Sequence, residues 1–251
     1  MTLLVIYFIF GAVVGSFLNV VIYRLPRDEN IAYPSSHCTT CNHKLKFYHN
    51  VPIFSWLFLR GKCAFCGAKI SFQYPLIEIL AGVISATILY KFGLSTVSVL
   101  LAGSFLTLLA LSAIDFKYKM VPDSLNLLAL TLAIASAYSL VMGIENLKNA
   151  LLFAGGFSLL RFYVSYIIKR EALGEADIMI AATMGAILGI KLGLFAIFLS
   201  AVLALPVMLY VRREDDEESH EVPFIPFLAL ATLLTLIFDA QIYNYLESLY
   251  G

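Results

Sequence analysis

Long apolar runs, broken by short polar stretches, dominate the chain. They fall near 3–23, 76–92, 97–114, 122–142, 150–168, 178–190, 192–211 and 224–242. Most approach the roughly 20 residues that a helix needs to cross hydrocarbon, and helices satisfy their own backbone hydrogen bonds there. The pattern predicts an all-α, polytopic membrane protein of about eight transmembrane helices. Between the sixth and seventh runs only Lys191 and its neighbours intervene. In the first run the spacing Gly11-x-x-x-Gly15 permits close helix contact.

Composition agrees: 61% of the 251 residues are hydrophobic and 14% charged, with a mean hydropathy of +0.87, well beyond what a soluble core needs. The net charge of zero hides an asymmetry. With the N-terminus outside, 13 of the 17 Lys and Arg residues fall on inner loops, so the positive-inside rule places both termini outside. The stretch after the first helix is then cytoplasmic. Because the first run lacks a basic leader segment and its Arg24 and Arg27 follow it, it reads as a retained helix rather than a cleaved signal. Five acids, Glu214 to Glu218, read either as a solvated loop or as an acidic patch for a basic partner segment. Membrane lipid is an expected partner and nucleic acid is not.

All four cysteines lie in that first inner loop, as Cys38-x-x-Cys41 and Cys63-x-x-Cys66, 21 residues apart. Two such knuckles close a tetrahedral thiolate site, and Asn42 and Gly67 suit the turns that follow each pair. A reducing compartment disfavours disulfides. The expected ligands are Cys38, Cys41, Cys63 and Cys66, the expected ion is zinc, and its role is structural because four thiolates leave no open position. Trp56, in the apolar insert between the knuckles, is expected to lie on the membrane surface or to pack under the ribbon.

Acids within or beside spans are costly unless paired or functional. The chain has Glu78, Asp115, Asp123, Asp177 and Asp239 in such places, and the topology puts Asp115, Asp123 and Asp177 on the inner side. Two carboxylates in a partly dry site share a proton, so one can deprotonate water while the other donates to a carbonyl oxygen. Taken singly, each acid also reads as a helix cap; spacing does not choose between these readings.

GSFLNVVIYRLP (15–26), the two Cys-x-x-Cys pairs, ISFQYPLIE (70–78), IDFKYKMVPD (114–123), GEAD (174–177) and VPFIPFLAL (222–230) together resemble the bacterial type IV prepilin peptidases, in order and over nearly the whole chain. The resemblance implies an inner-membrane aspartyl endopeptidase that cleaves the basic leader of type IV prepilins or pseudopilins after a glycine, on the cytoplasmic side. It also implies N-methylation of the new terminus with S-adenosylmethionine. Carried over, the catalytic pair falls on Asp115 and Asp177. Residues 1–95 become a methylation-associated region with the four-Cys loop, and 96–251 the peptidase domain. Ala176 stands at the second glycine of the family's Gly-x-Gly-Asp, and Ile225 where its Pro-Phe-Gly-Pro-Phe has glycine. Helix ends suggest that Asp115 carries the shared proton and Asp177 is the base. A transporter would need internal repeats or broken helices around a midplane site, and a metal-sensing protein would not account for the paired aspartates.

Overall fold

The computed structural model describes residues 2–169, 174–214 and 223–250, with the side chains of 211–214 and 249–250 left out. The acidic run from Glu214 to Glu218 therefore lies outside the described side chains. The described residues are helical except for loops and two isolated bridges, His37 with Lys44 and Lys62 with Lys69. Two compact units form, Met1–Leu94 and Ser95–Gly251.

In the first unit, α1 (Thr2–Arg24) packs against α3 (Gln73–Phe92), and the stretch between them carries the short α2 (Phe54–Phe58). The α1–α3 pair is antiparallel: Asn19 Nδ2 donates to the Tyr74 carbonyl at 3.0 Å, while Gly15 faces Glu78 and Ala81, and Gly11 faces Ala81 and Ser85. A side chain at Gly11 would run into the Ala81 carbonyl, and one at Gly15 would come within 2.9 Å of the Glu78 Cα. Those two glycines are therefore what lets the helices touch backbone to backbone.

The second unit holds α4 (Thr96–Tyr118), α5 (Asp123–Ala135), α6 (Leu140–Ile168), α7 (Glu175–Glu214), α8 (Ile225–Ile237) and α9 (Asp239–Tyr250). Helix α4 starts with a Ser95/Ser98 capping box and ends at Lys119 in the left-handed region, which turns the chain into α5. Ser104 Oγ donates to the Ala129 carbonyl at 2.8 Å across that pair. Small residues, Ala133, Ala150, Ala182 and Ala186, fill the contact among α5, α6 and α7.

Among the described residues five helices are long and apolar enough to cross a membrane, or six if α8 and α9, bent by 81°, form one broken span. The expected count of about eight takes α5 as a span and the two sides of the α7 break as two. The predicted span at 122–142 ends early: α5 stops at Ala135 after 13 residues, and the chain restarts at Ser139, whose side chain caps α6. The predicted sixth and seventh spans run into one another as α7, but Gly189, at φ 69° and ψ −171°, breaks it. A straight helix of that length would overrun the roughly 30 Å hydrocarbon. The break lies two residues before Lys191, the seam visible in the sequence.

Candidate functional site

Asp115 is in the last turn of α4 and 8% exposed. The backbone N–H of Ile225 donates to its Oδ2 at 3.3 Å. Ile225 opens α8, with Pro226 at the first turn supplying a fixed φ where no amide is needed. The amino end of α8 thus points at the Asp115 carboxylate, an arrangement that suits an anion. This second helix end acts on Asp115 in the sense opposite to the carboxyl end of α4, the only one visible in a linear reading.

Asp177 is the third residue of α7 and is partly buried. The Gly174 N–H donates to its Oδ2 at 3.2 Å, so the helix-capping role is filled by one of its oxygens. Asp177 also lies close enough to Asp115 for its charge to act there. Helix ends α4, α7 and α8 thus converge on one region of the second unit. Asp123, by contrast, is exposed at the start of α5.

Beside this region a cleft of about 510 Å³ is lined by Ser158, Arg161, Phe162, Ser165, Tyr166 and Ile178. Arg161, in the apolar second half of α6, pairs with Glu175 at 3.1 Å, two residues ahead of Asp177. Sequence separation hides both the Arg161–Glu175 pair and the acceptor of the Ile225 amide. The proline of Ile225-Pro226 was the available signal, because proline marks a helix start.

In the first unit the sulfurs of Cys38, Cys41, Cys63 and Cys66 all lie within 4.8 Å of one another, and none is in a disulfide. The two knuckles repeat one geometry. Asn42 N–H returns to the Cys38 carbonyl and Gly67 N–H to the Cys63 carbonyl, and both turn residues have positive φ, 56° and 72°. Cys38 and Cys66 are 3.9 Å apart, and a zinc tetrahedron with bonds of about 2.3 Å has sulfur–sulfur edges of about 3.8 Å. The donor set therefore fits a metal of that type. The Cys41 amide draws the Cys38 thiol down to about 6. At Cys66 the Ala68 amide also favours the thiolate, but lost hydration and the other three sulfurs outweigh it and push the thiol up to about 11. Four thiolates in one place need a cation.

The loop histidines hold the ribbon together rather than joining the cluster. His43 stacks on Phe65 at 3.6 Å, His49 meets the same ring edge-on, and His37 contacts the Ser35 carbonyl. Trp56 packs under the ribbon, as one of its two expected placements had it: its Nε1 donates to the Ile70 carbonyl at 3.2 Å and its ring lies against Gly61. Glu78, 7% exposed, accepts the Ile53 N–H at 2.7 Å.

Comparison with known proteins bears on both units. The family described as Bacterial Peptidase A24 N-terminal domain matches residues 9–92, and the Type IV leader peptidase family matches 100–209. The prepilin leader peptidase/N-methyltransferases of Myxococcus xanthus (strain DK1622) and Stutzerimonas stutzeri are 38% and 34% identical, over 87% and 93% of this chain and 69% and 90% of their own lengths. The Pseudomonas putida protein of the same name is 32% identical over 94% of this chain and 90% of its own. The chain belongs to the type IV leader peptidase family. No solved structure matches it.

Two departures from the pattern of leader peptidases are absorbed locally. Ala176 sits in helical backbone, outside the residues with positive φ, so its Cβ introduces no strain. Ile225 contributes its amide to Asp115 whatever its side chain, which is buried at 2% exposure.

Proposed function

We propose that this protein is a membrane aspartyl endopeptidase that removes the basic leader of type IV prepilins or pseudopilins after a glycine, with Asp115 and Asp177 as its catalytic pair. One observation carries this reading: the ends of α4 and α7 bring those two acids within electrostatic reach of each other in one unit. Asp177 takes a proton from water as its oxygen attacks the scissile carbonyl carbon. Asp115 gives a proton to the carbonyl oxygen. When the resulting diol collapses, the C–N bond breaks, the leaving nitrogen takes the proton from Asp177, and Asp115 recovers its own from the diol. Peptide plus water becomes acid plus amine, and both side chains return to their starting state. The Ile225 amide steadies Asp115 while it is charged.

The natural setting of this reading is the bacterial inner membrane, with both termini outside and the four-Cys loop cytoplasmic. Cys38, Cys41, Cys63 and Cys66 would hold a structural zinc, which ties the two knuckles into one ribbon and takes no part in hydrolysis. Methylation of the new N-terminus with S-adenosylmethionine would belong to residues 1–95; the relatives' name supports it. The buried charged groups of that unit are already engaged, Glu78 with Ile53 and Arg24 with the carbonyls of Asn30, Ile31 and Pro34. They mark no seat for a methyl donor, and no step is derived through it.

The test is cleavage of a prepilin by purified protein in detergent, read by mass spectrometry. Asp115→Asn and Asp177→Asn should each lower the rate by about 10²-fold to 10⁴-fold, the range lost with a general acid or base, while zinc content stays the same. Either variant retaining wild-type activity rejects the assignment.

A further inference from the structure

Helix α5 is too short to cross a bilayer, yet it packs on both α4, which carries Asp115, and α7, which carries Asp177. Its buried face consists of Asn126, Ala129 and Ala133, spaced as one helical stripe. Two of these are the smallest side chains that keep a Cβ. The third is an amide, fully buried at 0% exposure.

Asn126 Nδ2 donates to the Ala176 carbonyl at 3.1 Å. Ala176 is the residue before Asp177, in the first turn of α7. Its carbonyl stands in a helix, where the amide four residues on is its regular partner, so the bond from Asn126 is not needed to satisfy it. The other half of the amide is left at a loss, because Oδ1 is buried and accepts no hydrogen bond. An unpartnered buried acceptor is destabilising, and an apolar residue of similar size avoids that cost. Packing alone therefore gives no reason for asparagine here, and the contact that remains to explain it is the tie to Ala176.

We propose that Asn126 is a positioning residue for the peptidase reaction: it fixes the first turn of α7 against α5, and so sets where Asp177 stands relative to Asp115. This rests on the aspartyl-peptidase reading above. A helix's first turn is its most easily frayed part, since its amides lack intrahelical partners. A lateral hydrogen bond from a neighbouring helix holds that turn where capping alone holds only its own backbone.

The experiment uses the full-length protein in detergent, with a synthetic prepilin segment carrying a basic leader, a glycine at the cleavage point and the apolar run after it. Asn126→Ala should lower kcat by about tenfold or more, since small misplacement of a reacting group costs up to about 10²-fold, with KM within twofold and thermal midpoint unchanged. Because a cavity at a buried site can also weaken the fold, a second pair fills the site. Asn126→Leu matches the size of the amide without its donor and Asn126→Gln keeps a side-chain amide, so Gln should retain at least several-fold more kcat than Leu. Equal kcat for Gln and Leu, wild-type kcat in Asn126→Ala, or losses that track the thermal midpoint would overturn the proposal. Asp177→Asn, run alongside, separates the two levels. If it is inactive while the Asn126 variants are normal, only the positioning role fails; if it is active, the peptidase assignment fails and the role of Asn126 with it.

Discussion

Ile53 has φ 64° and ψ −54°, and the carbonyl before it accepts the amide after it at 2.6 Å. This is a γ-turn with positive φ, a strained conformation for a β-branched residue. The buried carboxylate of Glu78 holds its amide, and thereby ties the cysteine loop to α3. Replacing Glu78 with Ala leaves that amide without its acceptor and should cost about 1–3 kcal/mol. Limited proteolysis of the loop should then accelerate, while Glu78→Gln, which keeps an acceptor oxygen, should stay closer to wild type. Equal proteolysis rates for Ala and wild type would remove this link. Glu78 was visible in the sequence as a costly acid in a span, but its partner was not, because 25 residues separate them and no local signal marks a γ-turn. The same holds for Asp115 and Ile225, 110 positions apart.

Helices show where periodicity and hydropathy misjudge length. The apolar run at 122–142 reads as one span because hydropathy averages across Ser136 and Ser139, yet each serine favours a terminus, and the chain folds as the end of α5 and the start of α6. Conversely, α7 continues past Lys191 because a lone charge does not end a helix. Its real break is Gly189, whose φ and ψ lie in a region essentially reserved for glycine. Gly189→Ala should therefore destabilise the protein by about 1–3 kcal/mol, read as a fall in thermal midpoint in detergent. Gly155→Ala, on α6 with open space around it, should be neutral or mildly stabilising through helix propensity. In the first unit Gly11→Ala should cost about 1–3 kcal/mol, since its Cβ would run into both the Ala81 carbonyl and the Ser85 side chain. Comparable midpoints for Gly11→Ala and Gly155→Ala would contradict that packing.

Across the whole molecule, the four clustered cysteines belong to the first compact unit and the two aspartates to the second. Stripping the metal with a strong chelator should lower the thermal stability of the cysteine ribbon and expose it to protease, with one zinc per chain measured beforehand. Cys63→Ser, which removes the buried ligand, should do the same. Peptide hydrolysis by the surviving folded protein should persist, and a rate that fell in proportion to bound metal would give the ion a chemical role. What the sequence determined by itself was everything carried by local composition and short spacing: helices in a membrane, a four-thiolate loop, close contact at Gly11 and Gly15, and a family signature over nearly the whole chain. Only the tertiary structure decided which helices are long enough to span, where α7 breaks, and that α5 wedges between α4 and α7 with Asn126 on Ala176. Those depend on side chains meeting across tens of residues, and burial, backbone strain and an unpartnered acceptor exist only once the chain has closed on itself.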